Sequence, residues 1–334
     1  MQLSVIIVNY RASAFIVDCI NSALQFPSWQ NFEWIVVDND SKDGSEQAII
    51  KQFPFVKWIE MGCNSGFARA NNEGIRQAQG EVVLLLNPDT IVTNDAIGRC
   101  YTKFIQTNHV ACGVQLLYQD GRTQISGSHF MKGGINHLLP LPYWGGLLKT
   151  IAKVVGAKKP SIEVATEEEQ VDWVSGAFLM VKKNALEKTG LMDEDFFLYA
   201  EEVEWCSRLG RVGALYIYGG ITMIHLLGEV IKTAADKQDK TYENLFDKKG
   251  LQYIVSNHVR IRKQYGVGWY FFQLLNYTLG VPVFLVGSFF DNLFHGKNPF
   301  GALPKVVGLA QNVAMVWRLT PTIIRNKSHF YKML

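Results

Sequence analysis

Three almost unbroken apolar runs constrain this chain more than any other feature: VIIV at 5–8, WIVV at 34–37 and VVLLL at 82–86. Strands with one wet face alternate apolar and polar residues. Continuous β-branched runs belong instead to parallel strands covered on both faces. The pattern predicts strands over Leu3–Val8, Glu33–Val37, Val56–Glu60 and Val82–Leu86, separated by helices over Ala12–Gln25, Ser45–Gln52, Gly66–Gln79 and Asn94–Gln106. Alternation of this kind with short connections specifies an α/β layered domain on a mostly parallel sheet. Between about 119 and 169 the periodicity gives way to Gly/Pro-rich sequence (GGINHLLPLPYWGG), read as an inserted loop region. Order returns with a strand over Val171–Val181, a helix over Glu201–Leu209 and two short strands, Ala214–Tyr218 and Ile221–His225. A polar stretch, Gly228–Lys249, leads into a C-terminal region of different character.

In open parallel sheets ligands bind beyond the carboxyl ends of the strands, and those ends are polar here. The first strand runs into Asn9-Tyr10-Arg11, the second into Asp38-Asn39-Asp40, the third into Gly62-Cys63-Asn64-Ser65-Gly66 and the fourth into Asn87-Pro88-Asp89-Thr90. Each tip alone reads equally well as a helix cap or a turn; four on one edge argue for a shared ligand. Neither G-x-G-x-x-G nor G-x-x-x-x-G-K-[ST] occurs, which disfavours a dinucleotide fold and a P-loop. A carboxylate after the second strand suits ribose hydroxyls or a base edge, and Asp89 suits a hard divalent cation (Mg²⁺ or Mn²⁺) completed by phosphate oxygens. Arg69, in the first turn after Gly66, suits phosphate. The tips together describe a nucleotide-diphosphate site.

The segments SVIIVNYRA, WIVVDNDSKDGS, NSGFARANNEGIRQAQGEVVLLLNPDT, SGAFLMVKKNALEKTGLMDEDFFLYAEEVEWCSRL and GGITMIHLLG resemble family 2 glycosyltransferases of the GT-A fold. The chain is most similar to the rhamnosyltransferase-like branch that builds bacterial surface polysaccharides such as O-antigen. The resemblance covers roughly residues 1–230 and implies a Rossmann-like sheet flanked by helices. It implies a GT-A domain over 1–235, with the 119–169 insert on the acceptor side, and a basic, hydrophobic helical region over 236–334. It also implies an inverting transfer of a sugar from a nucleotide-diphosphate donor. Residue by residue, Asn9 and Asp38 would contact the base and ribose, and Asn64, Gly66, Arg69 and Asn72 would line the nucleotide-sugar side. Tyr10, Arg11 and Asp40 complete the donor-binding tips. Asn87-Pro88-Asp89 takes the D-x-D position, with Asp89 and His225 as metal ligands. Glu201-Glu202 takes the place of the Glu-Asp pair whose second member is the usual base. Asn87 replaces the first Asp of D-x-D, a replacement common in that branch, and Glu202 replaces Asp, so that Glu201 or Glu204 also remain candidates. Branch similarity suggests dTDP-rhamnose as donor; UDP sugars stay open. A nucleotidyltransferase, or a non-catalytic partner of a polysaccharide assembly, are the competing readings. The first would want a Gly-rich basic loop after the first strand, where Asn9-Tyr10-Arg11 stands.

Charge separates body from tail. The whole chain carries 33 Lys/Arg against 30 Asp/Glu, a balance that alone says nothing about nucleic acid, and no nucleic-acid partner is expected. From Leu251 onward there are nine Lys/Arg and a single acid, Asp291, so the first 250 residues are acidic. Residues 264–290 hold only uncharged side chains, yet Gly266, Gly268, Gly280, Pro282 and Gly287 interrupt them. The favoured reading is an interfacial helical platform on an anionic membrane surface, followed by an amphipathic stretch over Leu303–Trp317. A true span and a soluble subdomain or homodimer interface are the alternatives. A polyprenyl-linked glycan acceptor would live at that surface. Five scattered cysteines fit a reducing compartment, and the N-terminus reads as a strand rather than a signal peptide. The expectation is a peripheral protein on the cytoplasmic face of a bacterial inner membrane.

Overall fold

The computed structural model describes residues 3–154, 156, 160–226 and 244–334. The polar stretch read at Gly228–Lys249 lies largely outside them, as do the 235/236 domain boundary and the end of GGITMIHLLG. The first 120 residues form β1 (Leu3–Asn9), α1 (Ser13–Ala23), β2 (Phe32–Asp38), α2 (Ser45–Gln52), β3 (Lys57–Glu60), α3 (Gly66–Gln77), β4 (Val82–Leu86), β5 (Thr90–Ile91), α4 (Ala96–Ile105) and β6 (Ala111–Leu117). Beyond them come β7 (Gly127–Ser128), α5 (Trp144–Val154), β8 (Ser161–Ile162), β9 (Glu168–Val171), β10 (Trp173–Val174), β11 (Phe178–Lys182), α6 (Lys183–Thr189), α7 (Glu201–Leu209) and β12 (Leu215–His225). Three long helices close the chain: α8 (Lys248–Tyr265), α9 (Val267–Phe294) and α10 (Leu303–Arg325).

The described residues fall into two compact units. One is drawn from Met1–His129, Ser161–Glu194 and Glu201–Lys237, the other from Phe130–Pro160, Asp195–Ala200 and Gln238–Leu334. The middle of the insert and a six-residue piece before α7 therefore cluster with the C-terminal helices, departing from the division read in the sequence.

The main sheet of the first unit has the order β3-β2-β1-β4-β11-β6-β12-β5, with β9 also paired to β12. Strands β3, β2, β1 and β4 are parallel, as the apolar runs predict. Residues alternate between two cores. Leu3, Val5 and Ile7 face one with Cys19, Ile20 and Phe104, while Ile6, Ile35 and Val83 face the other with Ala68, Trp205 and Leu209. Both faces are dry, and unbroken apolar runs follow. Gly74 lets α3 press onto the sheet, because a Cβ there would lie 2.5 Å from Ile6 Cγ2.

Two sequence readings change. The strand expected over Val171–Val181 is β9, β10 and β11, and β11 enters the sheet antiparallel to both β4 and β6. The two strands expected over 214–225 are one, β12, whose register shifts between Tyr218 and Thr222 around Gly219-Gly220. Strand β6 and helix α6 escaped the reading.

In the second unit, α8, α9 and α10 enclose a core of Ile254, Tyr270, Leu274, Phe284, Leu309 and Val316, joined by Leu138 and Leu141 of the insert. The Gly/Pro interruptions do not break α9. Gly280 receives Leu141 and Gly287 receives Tyr143 at distances a Cβ would crowd, so these glycines are close-packing positions.

Candidate active site

The register of β1 on β2 sets Asn9 directly opposite Asp38. Asn9 Nδ2 donates to Asp38 Oδ1 at 2.7 Å and to Ser41 Oγ at 3.0 Å, and Ser41 N donates to Asp38 Oδ2 at 3.0 Å. Asn9 is fully buried and Asp38 is 7% exposed. The pair is thus a fixed negative tip whose bonds are met internally, with Asn9 orienting Asp38. The next residues do open outward: Tyr10 and Arg11 are exposed, with the Arg11 guanidinium 5.5 Å from the Tyr10 ring centroid. Arg11 holds a left-handed φ of 55°, and its N–H is held by Ser41 Oγ at 2.9 Å. Asp40 pairs with Lys42 at 3.0 Å. Asn39, which the sequence reading passed over, ties the second tip to the third: its Oδ1 accepts from Ser65 N at 2.8 Å, and its Nδ2 donates to Asn64 Oδ1 at 3.1 Å. Asn64 Oδ1 also accepts from Gly66 N at 3.2 Å, at the start of α3.

Arg69 and Asn72, expected on the nucleotide-sugar side, bond to residues 192–194. Arg69 Nε donates to Glu194 O at 3.0 Å. Asn72, fully buried, donates to Met192 O at 2.9 Å and Glu194 Oε1 at 3.0 Å, and accepts from Met192 N at 3.0 Å. Both side chains fasten the acidic segment to α3. Glu194 is also paired with Arg76. Partial burial opposes ionisation of Glu194, but the hydrogen bonds from Arg76 and Asn72 outweigh it and hold its carboxyl below the usual range.

At the β4 tip, pairing of β5 with β12 sets His225 opposite Thr90. His225 Nε2 lies 3.3 Å from both Asp89 Oδ1 and Asn87 Nδ2. Gln124 decides the tautomer. Its Nε2 donates to His225 O at 2.6 Å and to Leu117 O at 3.1 Å, turning Oε1 toward His225 Nδ1 at 3.0 Å. Nδ1 then carries the hydrogen, and the Nε2 lone pair faces Asp89. The same Nε2 can accept from Asn87 Nδ2, so Asn87, Asp89 and His225 form one polar group at this tip. Among the described residues no group of three His, Cys, Asp or Glu is placed to hold a metal ion. Asp89 and His225 are the two residues here that could hold a cation, whose remaining ligands would be phosphate and water.

Helix α7 carries three acids in its first turn, Glu201, Glu202 and Glu204. Asn87 N donates to Ala177 O at 3.0 Å, and a Cβ on the neighbouring Gly176 would lie 3.6 Å from Glu202 Cγ and the Phe67 ring. Glu202 is half-buried there, Glu201 is 3% exposed and turned inward, and Glu204 is spent on Arg208 through bonds of 2.8 and 2.7 Å. Of the three acids, Glu202 is the one beside the β4 tip.

The model of glycosyl transferase family 2 matches residues 4–188. The chain belongs to this family. Among relatives of this family 2 chain, it is 29% identical over 202 residues to an N-acetylglucosaminyl-diphospho-decaprenol L-rhamnosyltransferase of Mycobacterium tuberculosis, covering 55% of this chain and 62% of that protein. It is 29% identical over 214 residues to the low-salt glycan biosynthesis hexosyltransferase Agl10 of Haloferax volcanii, covering 63% and 62% respectively. The chain thus spans less than two thirds of the length of these relatives. The mannosyltransferase PcManGT of Pyrobaculum calidifontis, solved with GDP-Man and Mn²⁺, shares the GT-A fold at a TM-score of 0.52 and 14% identity, over 97% of this chain and 84% of that one.

Proposed function

We propose that this family 2 chain is an inverting glycosyltransferase that moves a sugar from a nucleoside-diphosphate donor to a lipid-linked or growing surface glycan. The observation that carries the reading is Asp89 beside His225 at the β4 tip, with Glu202 packed near Gly176, the neighbour of the Ala177 whose carbonyl accepts from Asn87 N. Glu202 takes the proton of the acceptor hydroxyl as its oxygen bonds to the anomeric carbon; the bond from that carbon to the diphosphate breaks, and the diphosphate leaves with the electron pair. Base assistance of this kind contributes about 10²–10⁴ in rate. Asp89 and His225 would hold a divalent cation, Mg²⁺ or Mn²⁺, which neutralises charge on the diphosphate. Asp38, fixed by Asn9 and Ser41, presents its charge toward the ribose side, and the exposed Arg11 toward phosphate. The sugar is proposed to be rhamnose from dTDP-rhamnose, in keeping with the rhamnosyltransferase relative. That relative's decaprenol-linked acceptor supports a polyprenyl-linked one here.

The second unit supports a membrane location. Phe272, Leu275, Leu279, Val286, Phe290 and Leu293 are exposed at three-, four- and seven-residue spacing on α9, whereas Tyr270, Leu274, Tyr277 and Phe284 on its other face are buried. Leu147, Ile151 and Val154 of α5 are exposed as well. Lys149, Lys153, Lys297, Lys305 and Arg318 accompany these surfaces with few acids, which suits an anionic bilayer at the cytoplasmic face of the inner membrane.

Incubation of the protein with a panel of dTDP- and UDP-sugars, followed by free nucleotide release, tests the donor. Turnover with dTDP-rhamnose is expected, and Glu202→Gln should abolish transfer while donor affinity stays within about twofold. Exclusive use of a UDP sugar would replace the rhamnose reading, and full turnover by Glu202→Gln would remove Glu202 as base.

A further inference from the structure

Gly176 is a glycine that neither its backbone nor its packing requires. Its φ lies outside the left-handed range, and a Cβ there would make ordinary contacts, 3.6 Å from Glu202 Cγ and 3.6 Å from Cε1 and Cζ of Phe67. The missing side chain therefore leaves a methyl-sized gap between an aromatic ring and the side chain of an acid. Phe67, Gly176 and Glu202 belong to the same compact unit, and each is half-buried rather than enclosed. Both walls of the gap are held. Phe67 is the second residue of α3 and packs partly against the core that holds Ala68 and Trp205. Its helix grows from the third strand tip, where Asn39 Oδ1 accepts from Ser65 N at 2.8 Å and from Ser65 Oγ at 2.9 Å, and Asn71 Nδ2 donates to Phe67 O at 3.0 Å. Opposite, Ser175 N donates to Ser126 O at 2.9 Å and Phe178 N to Ser175 O at 3.2 Å. Ala177, next in the chain, ties Gly176 to the β4 tip by accepting from Asn87 N at 3.0 Å.

We infer that the ring of Phe67 and the bare face of Gly176 form the subsite for the transferred sugar, shaped for a 6-deoxyhexose whose methyl group lies against the ring. The inference rests on the transferase reading with Glu202 as base, since it is the acid beside the gap. A phenyl ring has neither donor nor acceptor. A hydroxymethyl group set against it would give up water for no hydrogen bond, whereas a methyl group gains by burial. An apolar pocket of this kind disfavours an added hydroxyl by up to about 10²-fold. Helix α3 grows from the tip that carries Asn64 and Gly66, which assigns the ring to the donor's sugar rather than to the acceptor's. Gly176 sets the size of the subsite: any side chain there stands between the ring and the acid.

The test measures acceptor-free nucleotide release by the full chain from dTDP-rhamnose and from its 6-hydroxy counterpart, dTDP-L-mannose. Without an acceptor, any effect belongs to the donor. Wild type should favour dTDP-rhamnose by about tenfold or more in kcat/KM, and Phe67→Ala should bring that ratio close to one. Phe67→Leu, which keeps apolar packing, should retain part of it. A ratio taken on one preparation does not depend on how much of the variant is folded. Gly176→Ala, whose methyl fits without displacing a neighbour, should raise KM for dTDP-rhamnose about tenfold. A wild-type ratio near one, an unchanged ratio in Phe67→Ala, or wild-type KM in Gly176→Ala would overturn the subsite and leave the transferase reading standing. Release from none of a panel of sugar nucleotides would overturn that reading and this inference with it.

Discussion

Gln124 shows what a single side chain adds to the site. It has no role of its own toward donor or cation, yet its bonds to His225 fix which nitrogen of that ring faces Asp89. Outer partners of this kind typically contribute 10–100-fold in metal affinity. Gln124→Leu should therefore weaken Mn²⁺ binding, titrated in the presence of a nucleoside diphosphate, by about that factor; unchanged affinity would remove His225 from the cation site. The sequence exposed Asp89 as a carboxylate at a strand tip, whereas His225 and Glu202 were marked only by the family resemblance. It hid Gln124, Asn39 and Ser41, since a neutral polar residue acquires a role only when the fold supplies its partner, for Gln124 one 101 residues away. Arg69 and Asn72 were legible as polar residues of α3, but not their direction: whether α3 spends them on a ligand or on residues 192–194 depends on where a distant segment returns.

Among the elements, β1, β2 and β4 were readable because burial on both faces forces an unbroken apolar run. Strand β11 was not placed in order: nothing local says that a strand after a long insert slots between β4 and β6 running backward. Helix α9 was the hardest, since its glycines and Pro282 read as interruptions until the side chains filling them are seen. Helix α8 carries a consequence of its own. Burial pushes the imidazole of His258 down from 6.5 to about 4, against the opposing effect of its bond to Ile254 O at 2.8 Å. The folded state resists a proton that the unfolded chain accepts, so this stabilisation is complete above pH 6.5 and is lost as pH falls toward about 4. The melting temperature should drop between those values, and His258→Leu should remove part of the slope; an identical slope in the variant would assign it elsewhere.

On the scale of the molecule, the acidic first 250 residues carry the proposed donor edge, and the basic C-terminal region carries a stripe of exposed apolar side chains. In flotation with vesicles containing anionic phospholipid, the full chain should rise with the lipid and be released partly by salt, while Leu279→Glu with Val286→Glu should stay at the bottom. Absence of the wild-type chain from the lipid fraction would reject the membrane platform. The body's reading stands on the convergence of strand tips. Calorimetric titration of a nucleoside diphosphate, with and without Mg²⁺, measures that convergence most directly in wild type and Asp89→Ala. The account predicts that Mg²⁺ tightens binding to the wild type and that Asp89→Ala loses this gain, weakening affinity about tenfold or more, roughly 1.4 kcal/mol. Equal, Mg²⁺-dependent affinity in both proteins would contradict it.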